Sequence, residues 1–156
     1  MGFLTGKTAI ITGAGRAVLK DGSCGSIGYG IATAYAKEGA NLVITGRNVK
    51  KLEAAKQELE SLYGIKVLTV QADVCAGGDN EATVANVVKQ AVDTFGGIQV
   101  LINNAQASAS GVPLAEHTTE QFDLAIYSGL YAAFYYMKAC YPYLAESHGS
   151  VINFAS

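Results

Sequence analysis

The chain has 156 residues, half of them hydrophobic, and a formal net charge of −2. This composition allows a single α/β domain over residues 1–156 and argues against nucleic acid or an anionic membrane surface as a partner. No apolar run could span a bilayer and no signal peptide is evident, so we expect a cytoplasmic protein without a membrane partner. The cysteines and histidines lack metal-ligand spacing, so we expect no metal site.

The segment from Thr8 to Ala40 predicts a strand, a glycine-rich turn and a helix. The apolar run at Ile10 and Ile11 is typical of a buried parallel strand, and Gly39 ends the helix. Such a turn holds the pyrophosphate of a dinucleotide, because backbone N–H groups and the positive helix end face the phosphates. The apolar residues at helical spacing are Ile27, Ile31, Ala34 and Tyr35. The residues predicted to bind the cofactor here are Gly13, Arg16, Ser26, Ile27 and Gly28.

The end of the second strand, Leu42 to Thr45, predicts the type of dinucleotide. NAD-binding folds carry an acidic residue here that accepts hydrogen bonds from the ribose hydroxyls. This chain has Gly46 and Arg47 instead. A guanidinium pairs with a 2′-phosphate, which a carboxylate would repel. We therefore predict NADP as the cofactor with Arg47 among its ligands; a solvated arginine at a strand end is the alternative.

Strands and helices alternate through the rest of the chain. Strands are expected at 67–70, 100–102 and 150–156, and helices after Asn48, after Gly77-Gly78 and from about 120 to 145. This alternation predicts a doubly wound parallel sheet of the Rossmann type with about five strands. The buried stripe of the helix after Asn48 is predicted to be Leu52, Ala55, Leu59 and Leu62. That of the last helix is predicted to be Phe122, Ile126, Leu130, Phe134 and Met137.

The motifs and their order resemble the short-chain dehydrogenase/reductase family. The turn is similar to the family's T-G-x-x-x-G-x-G, with an insert from Ala17 to Gly25 and with Ser26 in place of a glycine. Asp73-Val74 follows the third strand, and the fourth ends in Asn103-Asn104-Ala105-Gln106, where the family has N-N-A-G. An aspartate after a strand could equally cap a turn. The resemblance implies that Asp73, with the backbone of Val74, binds adenine and that Asn103, Asn104 and Ala105 tie the sheet together on the cofactor side.

The catalytic residues implied by the resemblance are incomplete. Ser156 matches the serine that hydrogen-bonds the substrate carbonyl, but no tyrosine here has a lysine four residues later, as the family's Tyr-x-x-x-Lys pair requires. The asparagine that organises the family's proton relay corresponds to Gly129, so another donor or a water is expected to replace it. We expect the chain to be the N-terminal portion of a longer enzyme, inactive alone, with the fifth strand as an exposed apolar edge.

A closer resemblance concerns the substrate. Runs such as S-I-G-Y-G-I-A and L-I-N-N-A-Q-A-S-A-S-G-V are similar to bacterial family members that oxidise the 12α-hydroxyl of bile acids with NADP. The resemblance implies hydride transfer between NADP(H) and a steroid hydroxyl or ketone, in a homo-oligomer (dimer or tetramer) paired through the Tyr-rich helix. The alternatives are another carbonyl substrate (acyl, sugar or xenobiotic), a non-catalytic nucleotide-binding protein, and an interaction scaffold.

Overall fold

In a computed structural model, which describes residues 2–75 and 80–155, five parallel strands form one sheet. The strand order is β3-β2-β1-β4-β5, so the order reverses between β1 and β4. The predicted doubly wound parallel sheet is confirmed. Gly77, Gly78 and Ser156 lie outside the described residues. The strands are β1 Thr8–Thr12, β2 Asn41–Gly46, β3 Val67–Gln71, β4 Val100–Asn103 and β5 Ser150–Asn153.

Helices cover both faces of this sheet. The Asn48 side chain caps the helix Val49–Tyr63 (α2) by accepting a hydrogen bond from the Lys51 N–H at 3.0 Å, and Gly64 ends that helix in the left-handed conformation, both as predicted. No helix within residues 2–75 and 80–155 has the length and apolarity to cross a bilayer. The helices are α1 Ile27–Lys37, α2 Val49–Tyr63, α3 Asn80–Phe95, a 3₁₀ turn Leu114–Glu116, α4 Thr119–Ala125, a π-helical turn Ile126–Tyr131 and α5 Ala132–Ser147.

The core has two layers because successive side chains of β1 point to opposite faces. Ile11 packs in a cluster with α1 and α2, whereas Ile10 packs in a cluster with α3 and α5. Neither side chain has any exposed surface. The rigid sheet between these layers brings the loops after β1 and β4 to one edge.

The predicted buried faces of the helices are confirmed in part. In α2, Leu52, Ala55 and Leu59 are buried as predicted, whereas Leu62 is 63% exposed. In α1, Ile27 is 64% exposed. Helix α1 instead buries Gly28, Tyr29, Ala32 and Ala36. The run from α4 to α5 exposes Phe122, Leu130 and Phe134 and buries Ser128, Ala132, Tyr136, Cys140 and Leu144. Small residues dominate the buried face of α1, and Ala132 and Cys140 supply half of that of α5, because small side chains allow a helix to approach its neighbours closely.

Strand β5 lies at one edge of the sheet and ends at Asn153, earlier than predicted. All four of its residues are exposed, and Val151 and Ile152 present apolar surface. The predicted exposed apolar edge is therefore confirmed.

Candidate functional site

A cavity of about 230 Å³ opens at the carboxyl ends of the strands, next to the point where the strand order reverses. Ligands of open α/β sheets bind at this position. Gly13 of the turn after β1, Arg47 after β2 and Val74 after β3 line it, together with the loop that follows β4. The full lining is Gly13, Thr45, Gly46, Arg47, Ala72, Val74, Cys75, Asn104, Ala105, Gln106 and Ala107.

The turn after β1 and the first turn of α1 approach each other too closely for side chains. A Cβ on Gly28 would lie 2.2 Å from the Gly13 carbonyl oxygen and 2.6 Å from Asn104 Nδ2. Ser26 is the N-cap of α1, and its hydroxyl accepts a hydrogen bond from the Tyr29 N–H at 3.4 Å. Backbone N–H groups at a helix start, with no side chains in front, suit an anionic phosphate.

Thr12 joins this turn to the loop after β4. Its hydroxyl oxygen accepts hydrogen bonds from the Asn104 N–H at 3.0 Å and the Ala105 N–H at 2.9 Å. The Asn104 amide in turn donates to the Thr12 carbonyl at 2.9 Å. Asn103 ties β4 to β5, because its Nδ2 donates to Asn153 Oδ1 at 2.8 Å. The asparagines therefore hold the sheet as predicted, whereas the role of Thr12 was missed.

We expect Thr12→Val to lower the free energy of unfolding by about 2–4 kcal/mol, because two partly buried N–H groups lose their acceptor. Urea denaturation measures this change. Thr12→Ser keeps the hydroxyl and is the matched control, expected to lose less than half as much. A Thr12→Val variant as stable as the wild type would contradict the role of this hydroxyl.

The two arginines predicted near the phosphates occupy different places. Arg47 is exposed at the cavity rim, and its side chain has no acidic partner among the described residues. It lines the cavity together with Cys75, whose pKa is raised by burial and by Asp73. Arg16 is absent from the cavity lining, because its guanidinium pairs with Glu58 of α2. Its backbone N–H donates a hydrogen bond to the Lys51 carbonyl at 2.8 Å.

Glu58 accepts hydrogen bonds from both Tyr29 and Arg16. These two donors, Tyr29 first, hold the pKa of Glu58 below its ordinary value. Burial and the Glu58 carboxylate raise the pKa of Tyr29 to about 12. The three side chains therefore connect the turn after β1 and α1 to α2.

Glu58→Gln is expected to lower the free energy of unfolding by about 1 kcal/mol at pH 7, since partial exposure screens the pair. The pKa of Glu58 is lower in the folded than in the unfolded protein, so its ionised form stabilises the fold. This contribution is fully present above the unfolded pKa of about 4.3 and is lost as the pH falls through the folded pKa. The difference from wild type should therefore vanish in acid. Denaturation curves at pH 7 and in acid measure it, with exposed Glu146→Gln as control; a difference independent of pH would contradict this account.

A sequence model of the family described as short chain dehydrogenase matches residues 7–156. The chain belongs to the short-chain dehydrogenase family. A 12α-hydroxysteroid dehydrogenase from a Clostridium species is 62% identical over 156 residues, which cover all of this chain and 58% of that protein. These findings confirm the resemblance noted in the sequence.

Two solved structures share the fold. One is an alcohol dehydrogenase from the archaeon Thermococcus sibiricus complexed with 5-hydroxy-NADP, with a TM-score of 0.81 and 29% identity over 93% of this chain and 56% of that one. The other is an NAD⁺-bound xylitol dehydrogenase, with a TM-score of 0.84 and 26% identity over 99% of this chain and 54% of that one. The chain thus spans little more than half the length of these family members.

The remaining predicted residues lie unevenly around the cavity. Asp73 Oδ1 accepts a hydrogen bond from the Cys75 N–H at 2.9 Å, so it does cap a turn, while Val74 is buried and lines the cavity. Ile27 is largely exposed at the start of α1. The insert from 17 to 25 forms a small exposed loop closed by an antiparallel bridge between Val18 and Cys24.

A second, smaller cavity of about 30 Å³ adjoins the first at the ends of β4 and β5. Asn103, Asn153 and Gly129 line it, together with Tyr136, whose buried hydroxyl has no hydrogen-bond partner within the described residues. Burial raises the pKa of Tyr136 to about 12, and the Thr45 hydroxyl opposes this rise without reaching hydrogen-bond geometry. No sequence pattern indicates Tyr136 at this position. No cluster of metal-ligating side chains occurs in residues 2–75 and 80–155.

Proposed function

We propose that the protein is an NADP-dependent oxidoreductase that interconverts a steroid hydroxyl and its ketone, with the 12α-hydroxyl of bile acids as substrate. The observation that best supports dinucleotide binding is the cradle formed by Gly13 and Gly28, where the Cβ of any other residue would occupy the space between the turn and the helix. The 62% identity to a 12α-hydroxysteroid dehydrogenase supports a steroid as the substrate.

The first cavity, together with residues beside it, fits a phosphorylated dinucleotide. Gly13 and the start of α1, with Ser26 and Ile27, would face the pyrophosphate. Arg47, which has no carboxylate partner in the described part of the chain, would pair with the 2′-phosphate of NADP. Asp73 and Val74 would border adenine, and Asn103, Asn104 and Ala105 would line the cofactor side of the sheet.

The bound cofactor supplies or accepts the hydride. The chain's own residues bind and orient the reactants, and the smaller cavity beside Asn153 marks the end of the site where a substrate oxygen would approach. We propose Ser156 as the catalytic serine that donates a hydrogen bond to that oxygen, a role that rests on the family resemblance. A cytoplasmic location likewise rests on composition and family.

We also propose a homo-oligomer paired through the exposed apolar face of α4 and α5. Phe122, Leu130, Phe134 and Tyr141 are all exposed on this face, and the rings of Tyr127 and Tyr131 stack at 5.3 Å. Exposed apolar side chains grouped on one helical run are typical of an interaction site. The molar mass in solution tests this proposal, and a monomer would contradict it.

The function is tested with the full-length protein, cholate and NADP, by following the nicotinamide absorbance. We expect turnover with cholate and none with chenodeoxycholate, the matched bile acid that lacks the 12α-hydroxyl. Turnover of xylitol or a simple alcohol but not of cholate would instead support another carbonyl substrate. Binding of NADP without turnover of any of these would favour a non-catalytic nucleotide-binding protein.

A further inference from the structure

Gln106 lies at the boundary between the two cavities. Three described residues line both of them, namely Val74, Ala105 and Gln106, and the first two are apolar. Arg47 and Cys75, at the end proposed for adenine, line the first cavity and are not part of the second. The Gln106 amide is therefore the polar side chain positioned where the dinucleotide site passes into the smaller cavity.

The backbone on both sides of Gln106 is anchored. The Ala105 N–H donates to the Thr12 hydroxyl at 2.9 Å, and the Ala107 N–H donates to the Ser128 hydroxyl at 2.9 Å. The Gln106 side chain itself is exposed and has no hydrogen-bond partner among the described residues. A fixed backbone thus presents an amide whose donor and acceptor are both available to a ligand.

Gly129 provides the space in which this amide lies. A Cβ on Gly129 would be 3.7 Å from Gln106 Nε2 and 3.8 Å from Gln106 Cδ. A methyl group would therefore make ordinary contact, whereas a longer side chain would take the place of the amide. Gly129 belongs to the π-helical turn that Ser128 ties to the Ala107 backbone, and such turns are frequent at functional sites.

We propose that Gln106 binds an oxygen at the reacting end of the ligands, with its amide held beside Gly129. The oxygen is either that of the substrate hydroxyl or ketone, or a hydroxyl of the nicotinamide ribose; both offer the hydrogen-bond acceptor that a carboxamide matches. This assignment rests on the proposed function for the identity of the ligands. The placement of the amide beside Gly129 is independent of it.

The placement is tested by thermal unfolding of the full-length protein without ligand. Gly129→Asn should lower Tm by about 4 °C, because its side chain competes with the amide for space. In the Gln106→Ala background, Gly129→Asn should lower Tm by less than half as much. Gly129→Ala alone should leave Tm close to that of the wild type. Equal losses in both backgrounds would overturn the placement.

The role is tested by kinetics and by NADP binding with Gln106→Ala and the isosteric Gln106→Glu. Either variant should lower kcat/KM for cholate about three- to tenfold, because both remove the N–H donor of one hydrogen bond. An unchanged NADP Kd would assign the bonded oxygen to the substrate, and a raised Kd would assign it to the ribose. If kcat/KM for cholate and the NADP Kd both stayed within twofold of the wild-type values, the proposed role of Gln106 would be overturned. Failure of the wild type itself to oxidise cholate would refute the steroid function. The role of Gln106 would then be supported by a raised NADP Kd in its variants and overturned by an unchanged one.

Discussion

Gly28→Ala is expected to weaken NADP binding by roughly a hundredfold or more. The added Cβ would lie 2.2 Å from the Gly13 carbonyl oxygen, which belongs to the backbone and cannot rotate away. It would also lie 2.6 Å from Asn104 Nδ2, so the turn, α1 and the loop after β4 would have to separate. Because these three segments form the proposed phosphate cradle, the binding site would be lost with them. Titration of NADPH fluorescence measures the affinity, and thermal unfolding should show a loss of about 1–3 kcal/mol.

Gly30→Ala is the matched control for this experiment. It lies in the same helix, but its Cβ would meet only the Cys24 sulfur, at 3.3 Å, and that side chain can move. Alanine also favours a helix over glycine by about 1 kcal/mol. We expect this variant to bind NADP like the wild type. If Gly28→Ala bound NADP equally well, the close approach would have no part in binding.

Arg47→Asp is expected to reverse the preference for NADP over NAD. The variant loses hydrogen bonds between a guanidinium and the 2′-phosphate, worth about 1.5–3 kcal/mol or roughly 10- to 150-fold in affinity. It gains a carboxylate that repels the phosphate and accepts hydrogen bonds from ribose hydroxyls. Dissociation constants for the two dinucleotides, measured on the same protein, give the change in selectivity.

Arg16→Gln separates a general effect of positive charge from the effect of position. Its guanidinium pairs with Glu58 and lies outside the cavity lining, so its loss should reduce stability and leave the ratio of the two affinities within about threefold. If Arg47→Asp kept the NADP preference, Arg47 would be a bystander. If Arg16→Gln alone reversed it, the ion pair with Glu58 would have to open when the dinucleotide binds.

The strands, the helix ends and the order of the motifs could be predicted because their signals are local. Asn48 and Gly64 mark the limits of α2 through the backbone beside them, and the buried runs of β1 and β2 are continuous in sequence. The buried face of α5 could not be predicted in the same way. Its sequence is apolar and aromatic on several sides, so hydrophobicity alone does not select the face that Ala132 and Cys140 allow to pack closely.

Contacts between segments that are distant in the chain could not be predicted from the sequence either. Arg16 was predicted to face the phosphates, but its partner Glu58 is on α2, and their meeting depends on how α2 packs beside the turn. Gln106 and Gly129 were each recognised as departures from the family pattern. That they lie side by side follows only from the packing of the π-helical turn against the loop after β4.

A crystal structure of the protein with bound NADP tests the central claim most directly. The account predicts the pyrophosphate between the turn at Gly13 and the first turn of α1, with the 2′-phosphate paired to the Arg47 guanidinium. Density for the dinucleotide elsewhere, or a cradle closed by the loop from 17 to 25, would contradict it.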